Sequence, residues 1–282
     1  MSTRTLERKV RALATQDGDG VKIKRVGGRM MQQHLNPFLM VDEINSDDAA
    51  DYIGGFPSHP HRGFETITYM KDGRMRHRDH MGNEGVIGPG DVQWMTAARG
   101  VIHSETPEQE DGLLHGFQLW LNLPGSEKMK PAAYHEFSHQ DIPMVELANG
   151  GSIKVVAGDV GVSHREATST IQGALPEFST QPVLMDVMLA PNERVSLNFN
   201  SEYGAQVYVY EGNTTVLNQS EMGLFSSGEV LELESTETGA GMLVISGRPI
   251  NEPIAQYGPF VMNTQEELQQ AFMDYQNGTL AS

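Results

Sequence analysis

Two short segments decide how this chain is read: Phe56-Pro57-Ser58-His59-Pro60-His61-Arg62-Gly63-Phe64-Glu65 and Arg99-Gly100-Val101-Ile102-His103-Ser104-Glu105. Each carries two side chains of metal-ligating type with one residue between them. In an extended chain, residues i and i+2 face the same way, with Cα atoms roughly 6.6 Å apart at two steps of strand rise. Pro60 holds His59 out of the helical region. If the segments lie on neighbouring strands, His59, His61, His103 and Glu105 converge, and three imidazoles and a carboxylate surround one ion. Either pair alone is weak evidence. Together they are stronger, because the intervening sequence reads as a route back. Glu65-Thr66-Ile67-Thr68-Tyr69-Met70 is strand-like, Lys71-Asp72-Gly73 a turn, and Met75, His77 and Asp79 alternate beyond it, which reads as a hairpin. Gly88-Pro89-Gly90-Asp91 is a tight turn of type II order.

Other residues compete for these roles. Of the ten histidines, His77 and His80 are rival ligands, with a core or surface place expected for His77. His115 follows on the next strand and could line a pocket. Glu65 competes with Glu105 for the carboxylate position. Arg62 alternates away from His59 and His61 and is expected in an outward salt bridge. Trp94 and Trp120 are read as core, and Ser104 faces away from its flanking ligands.

Composition narrows the chemistry. The 282 residues suit one large or two modest domains. Lys and Arg number 20 against 37 Asp and Glu, a net charge of −17. Such a surface disfavours direct nucleic-acid binding and anionic membranes. Cysteine is absent, so any metal is held by nitrogen and oxygen. These donors suit iron, manganese, nickel, copper and zinc, and an ion with an open coordination position is catalytic rather than structural. No secretory apolar core and no membrane-length apolar run are present, so a cytoplasmic location is expected. Phosphate-loop and nucleophile-elbow motifs are absent.

Thirty glycines and fourteen prolines punctuate short apolar runs, a pattern of many strands. Strands are expected at 21–26, with its Lys and Arg solvated, and at 37–41, 92–96 and 113–123. After a polar linker at 125–149, further strands are expected at 153–156, 183–189, 195–199, 205–210, 230–233 and 242–245. One helix is expected. Thr264-Gln265-Glu266-Glu267 forms a capping box, Leu268, Ala271, Phe272 and Tyr275 form an apolar stripe, and Gly278 is the stop. The halves align on turn glycines, 66–73 over 205–212 and Pro89-Gly90-Asp91 over Ser227-Gly228-Glu229. This places Asn198 and Asn200 opposite His59 and His61, and Gly241 and Leu243 opposite His103 and Glu105. The second half thus reads as the same strand pattern with the ligands lost.

At these residues the chain resembles the pirin family of the cupin superfamily. The likeness runs through 56–66, Gly85-Val86-Ile87-Gly88-Pro89-Gly90-Asp91-Val92-Gln93-Trp94 and 99–105. Asn36-Pro37-Phe38-Leu39-Met40, 118–124 and Gly247-Arg248-Pro249-Ile250-Asn251-Glu252-Pro253 support it. The resemblance implies an all-β chain of two tandem cupin β-barrels with a short C-terminal helix: a metal-binding domain at 1–132 and a metal-free, degenerate one at 133–282. It implies metal ligands at His59, His61, His103 and Glu105, with Glu65 second to Glu105. Iron(II) is the expected metal, with manganese, nickel, cobalt, copper and zinc as alternatives. It also implies an enzyme of the quercetin 2,3-dioxygenase type that opens a flavonol with dioxygen and releases carbon monoxide, Glu105 being the candidate general base. The alternative is an iron-binding, redox-responsive regulator with a protein partner.

Overall fold

A computed structural model describes residues 2–28, 31–165, 167–175 and 178–282. The chain forms two compact units, which differ at their ends from the sequential blocks 1–132 and 133–282. One comprises residues 13–139 and 250–282, the other 1–12 and 140–249. The ends account for the difference. Leu6–Arg11 pairs with Glu221–Phe225, whereas the C-terminal helix packs on the unit that holds residues 13–139.

That first unit is built from antiparallel strands in two sheets. A seven-stranded sheet runs in the order Ala133–Phe137, Val92–Thr96, Phe64–Asp72, Leu114–Asn122, Phe38–Ser46, Val21–Gly27 and Leu13–Asp17. A four-stranded sheet runs Phe56–His61, Val101–Pro107, Met75–Asp79 and Glu84–Ile87. Alternation drives the packing: Phe117, Leu119 and Leu121 are fully buried from one face of their strand. The expected hairpin around Gly73 does not form. Phe64–Asp72 and Met75–Asp79 belong to different sheets, and the turn carries the chain across, burying Met70 and Met75 in one cluster with Ile44, Tyr52 and Leu114. Two interrupted apolar runs on either side of a turn look the same whether they pair or face each other.

The expected linker is also partly structured. Ala133–Phe137 pairs with the Trp94 strand, and Met144–Glu146 pairs with Ser152–Ala157 in the second unit. The second unit carries a ten-stranded sheet. Its longest strand, Val230–Ser246, pairs first with Arg194–Asn198 and then with Val183–Leu189 and Ala205–Thr214. Among the described residues no helix is long and apolar enough to cross a membrane.

The C-terminal helix, Gln265–Gln276, has the expected capping box between Thr264 and Glu267. Leu268 and Ala271 are buried and Phe272 packs beside them, together with Ala255, Phe260 and Ile102. Tyr275 instead stays 41% exposed, so the apolar stripe ends one turn early. Arg62 is buried rather than outward. It donates to Asp274 at 2.6 Å and to the carbonyls of Leu280 and Arg99. Lys128 is buried too, which pushes its ammonium pKa down to about 7, and its Nζ lies 2.7 Å from Gly63 O, 2.7 Å from Asn122 Oδ1 and 3.0 Å from Val261 O. Both side chains clamp the turn that follows His61.

Gly63 sits in that turn at φ +93°, and a Cβ there would meet Val261 O at 1.9 Å. Gly63→Ala is expected to destabilise the protein by about 1–3 kcal/mol through backbone strain alone, with the collision added. Gly82→Ala, at φ +87° in open space, should cost less. The two thermal unfolding midpoints check the ranking.

Candidate metal centre

The Phe56–His61 and Val101–Pro107 strands lie side by side and antiparallel, with His103 directly opposite His59. The register shifts between His103 and Glu105, where Glu105 comes opposite Phe56. An extra residue of this kind bends a strand and re-aims its side chains. The rings of His59, His61 and His103 gather with centroids 4.3 to 4.9 Å apart, and one nitrogen from each lies within 4.8 Å of the others.

The donor atoms fit a cation. His59 Nδ1 donates to Pro57 O at 2.8 Å, which leaves Nε2 with a lone pair, and that Nε2 faces His61 Nε2 at 3.0 Å. Two nitrogen ligands at about 2.1 Å from one ion and at right angles stand about this far apart. His103 Nε2 is buried with no hydrogen-bond partner, an arrangement that costs stability unless something else satisfies the atom. Burial, reinforced by the neighbouring histidines, pushes His61 and His103 well below the usual imidazole range. Both rings are therefore neutral near pH 7, the state that binds metal.

Glu105 is buried and stands apart from His59 and His61. Its carboxylate groups with His77 and His103, again within 4.8 Å. Thr68 Oγ1 donates to Oε1 at 3.0 Å and Gln118 Nε2 at 3.1 Å. The structure thus brings three of the four expected residues into one cluster and sets the fourth beside it, with His103 common to both groups. Glu65 joins neither. It accepts from Thr96 Oγ1 at 2.6 Å and Trp94 Nε1 at 3.2 Å. His80 is exposed, its Nδ1 accepting from Ile102 N at 3.3 Å, and His115 pairs with Glu43 at 3.3 Å.

Thr68 and Gln118 are the neighbours that sequence reasoning passed over, while His77 and Trp120, which it set in the core or at the surface, lie against the cluster. Trp120 lies edge-on to His61 at 5.3 Å, whereas Trp94 is core. A cleft of about 660 Å³ opens onto His59 and His61, walled by Trp120, Gln118, Phe56 and Arg25. Arg25 is therefore not a plain solvated residue; it forks onto Asp42 at 2.8 and 2.6 Å and reaches Asp17 at 2.6 Å.

The second unit repeats the framework with an apolar interior. Gly90 N donates to Met70 O and Asp91 N to Gly88 O; in the second unit Ser220 N donates to Val209 O and Glu221 N to Asn218 O. Ser220, at φ +64°, is therefore the counterpart of Gly90, and Gly228, at φ +157°, that of Gly100, at φ +153°. Leu231 pairs with Leu197 as His103 pairs with His59. The positions of His59, His61, His103 and Glu105 thus correspond to Leu197, Phe199, Leu231 and Leu233, all in the buried core, and not to Asn198, Asn200, Gly241 and Leu243. Aligning Gly90 on Gly228 matched two glycines with different turns.

Two outcomes are expected. His61→Gln and His103→Gln should lose bound metal, while Glu65→Gln keeps it at one ion per chain, read by elemental analysis. Burial raises the Glu65 carboxyl above its usual range. Between the usual value and the raised one the folded state holds a proton that the unfolded chain has released, so this residue's contribution to stability falls as pH rises through that window. Glu65→Gln should remove that slope in urea titrations.

Comparison with known proteins agrees with this architecture. The Pirin family matches residues 20–121 and the Pirin C-terminal cupin domain residues 184–281. A Pseudomonas aeruginosa protein named "Putative quercetin 2,3-dioxygenase" is 45% identical over 272 residues, covering 94% of each chain. A pirin-like protein of Caulobacter vibrioides is 42% identical over 99% of each. The crystal structure of a quercetin 2,3-dioxygenase from Acinetobacter baumannii superposes with a TM-score of 0.87 at 33% identity, covering 99% of each chain. With both family domains matched along a chain of two cupin barrels and a short C-terminal helix, the chain belongs to the pirin family.

Proposed function

We propose that this protein is a metal-dependent dioxygenase of the pirin type acting on a flavonol-like substrate, with His59, His61, His103 and Glu105 as the metal's ligands. The observation that carries this reading is the buried imidazole cluster at the wall of a cleft whose volume, about 660 Å³, suits a small aromatic molecule. The named relatives support the same chemistry. Iron(II) is the proposed metal, and nitrogen and oxygen donors also accept manganese, cobalt, nickel, copper and zinc. When bound, the ion supplies Lewis acidity and a template for the substrate's hydroxyl and carbonyl oxygens.

The chain's own residues do the rest. Trp120 and Phe56 offer apolar walls to a flat ring, and Gln118 borders both the cleft and Glu105. Glu105 is the proposed general base for the substrate hydroxyl proton. Thr68 and Gln118 already donate to its Oε1, which orients the carboxylate and holds it as an acceptor. In the overall reaction one dioxygen enters, the central ring opens into an ester, and one carbon monoxide leaves, which balances all atoms.

The test is aerobic quercetin consumption and carbon monoxide release by iron(II)-loaded protein, beside metal-stripped protein and Glu105→Gln. Equimolar carbon monoxide is expected from the loaded wild type only, with about 10²–10⁴-fold loss in Glu105→Gln if the base role holds. Equal turnover by metal-stripped protein would overturn the reading. Loaded protein without turnover would favour the metal-binding regulator instead.

A further inference from the structure

Behind His103 lies a buried pair that the proposed reaction leaves unused. Met75–Asp79 runs antiparallel to the His103 strand, with Asp79 opposite His103 and His77 opposite Glu105. His77 is 2% exposed, and the Asp79 side chain is wholly buried. His77 Nε2 lies 3.5 Å from Asp79 Oδ2, and His77 Nδ1 lies 3.4 Å from His103 Nδ1. The Tyr134 ring stacks on His77 at 4.9 Å. Gly85, the strand partner of His77, leaves room for it, since a Cβ there would meet the Tyr134 hydroxyl at 2.6 Å.

The proton positions along this row follow from the inventory of donors and acceptors. Asp79 Oδ1 accepts from the backbone N–H groups of Met81 at 2.9 Å and Asn83 at 3.0 Å, and Oδ2 accepts from Asn83 Nδ2 at 2.8 Å. Both oxygens of Asp79 thus serve as acceptors, so the nitrogen of His77 that faces Oδ2 is the one placed to carry the hydrogen. Taken as a neutral imidazole, His77 has one N–H and one lone pair, which makes its Nδ1 the acceptor. The hydrogen between the two rings then belongs to His103 Nδ1. The remaining nitrogen, His103 Nε2, keeps its lone pair, and it is the buried atom without a partner.

We propose that Asp79 and His77 are positioning residues that fix His103 in the Nδ1–H tautomer and present its Nε2 to the metal. Outer partners of this kind orient ligating histidines, and their loss weakens metal binding about 10–100-fold. The proposal rests on His103 as a ligand, which the His103→Gln variant tests separately through metal content.

Asp79→Asn gives a sharp test, because it is isosteric and should reverse the row. The two backbone N–H groups hold the carboxamide oxygen in the place of Oδ1, the Asn83 carboxamide turns over to present its oxygen, and the new NH₂ group then faces His77 Nε2. That nitrogen must accept, His77 Nδ1 must donate, and the His103 proton moves to Nε2. Long-range ¹H–¹⁵N correlation on metal-free, ¹⁵N-histidine protein reads the tautomer, and cobalt(II) titration reads affinity. The expected result is Nδ1–H in the wild type, Nε2–H in Asp79→Asn, and cobalt(II) bound about 10–100-fold more weakly at unchanged stoichiometry. A wild-type proton on His103 Nε2, or an unchanged tautomer and affinity in the variant, would overturn the proposal. Should Asp79→Asn fail to fold, His77→Asn and His77→Leu replace it. The carboxamide oxygen of the first can accept from His103 Nδ1 and should preserve the tautomer and most of the affinity, which the second should lose. Equal loss in both, or loss of the cobalt(II) site, would make His77 a ligand and sink the positioning role.

Discussion

The antiparallel pairing that sets His103 opposite His59 is the constraint from which the site follows. It brings together imidazoles from two strands distant in sequence, at a spacing that backbone hydrogen bonds determine. His61 and His103 are nearly fully buried, so their rings are neutral and one of their nitrogens faces no protein donor. An unsatisfied buried polar atom costs about 1–3 kcal/mol. The barrel tolerates that cost because the surrounding strands are anchored elsewhere, by an apolar cluster around Met70 and by Arg62 and Lys128 at the adjoining turn.

The two units show what such a framework does with and without polar ligands. In the first, the inward positions of two strands carry His59, His61, His103 and Glu105. In the second, the corresponding positions carry Leu197, Phe199, Leu231 and Leu233. Each buried side chain of that kind contributes about 1.5–3 kcal/mol. The second barrel therefore gains stability where the first gives it up for a cluster of polar side chains. Turn chemistry is kept between them even where the residue changes, as with Ser220 in the left-handed conformation that Gly90 adopts in the first.

Much of this was legible in the chain. The strand-like runs and the Thr264 capping box have short-range causes and appear in the structure where the pattern placed them, and the His-x-His pair meets His103 as its spacing suggested, whereas Glu105 falls beside that cluster. What was not legible depends on partners distant in sequence. The turn at Gly73 could not declare whether its flanking strands pair or face each other. Arg62 alternated correctly away from the histidines, but nothing local said that Asp274 and Leu280 would bury it. His77 and Asp79 stood on alternate positions like a ligand pair; only their register against His103 and Glu105 distinguishes them from surface residues. The register shift opposite Glu105, where the Phe56–His61 strand carries an extra residue, is announced by no residue pattern.

The return of residues 250–282 to the first barrel has a consequence for how the site is made. The groups that hold the turn after His61, namely Asp274, Leu280 O and Val261 O, are synthesised long after the histidines themselves. During translation the early half of the chain can pair its strands, but it lacks the brace behind one of its imidazoles. The turn that follows His61 is thus complete only once that late-made tail has closed over the barrel that began first.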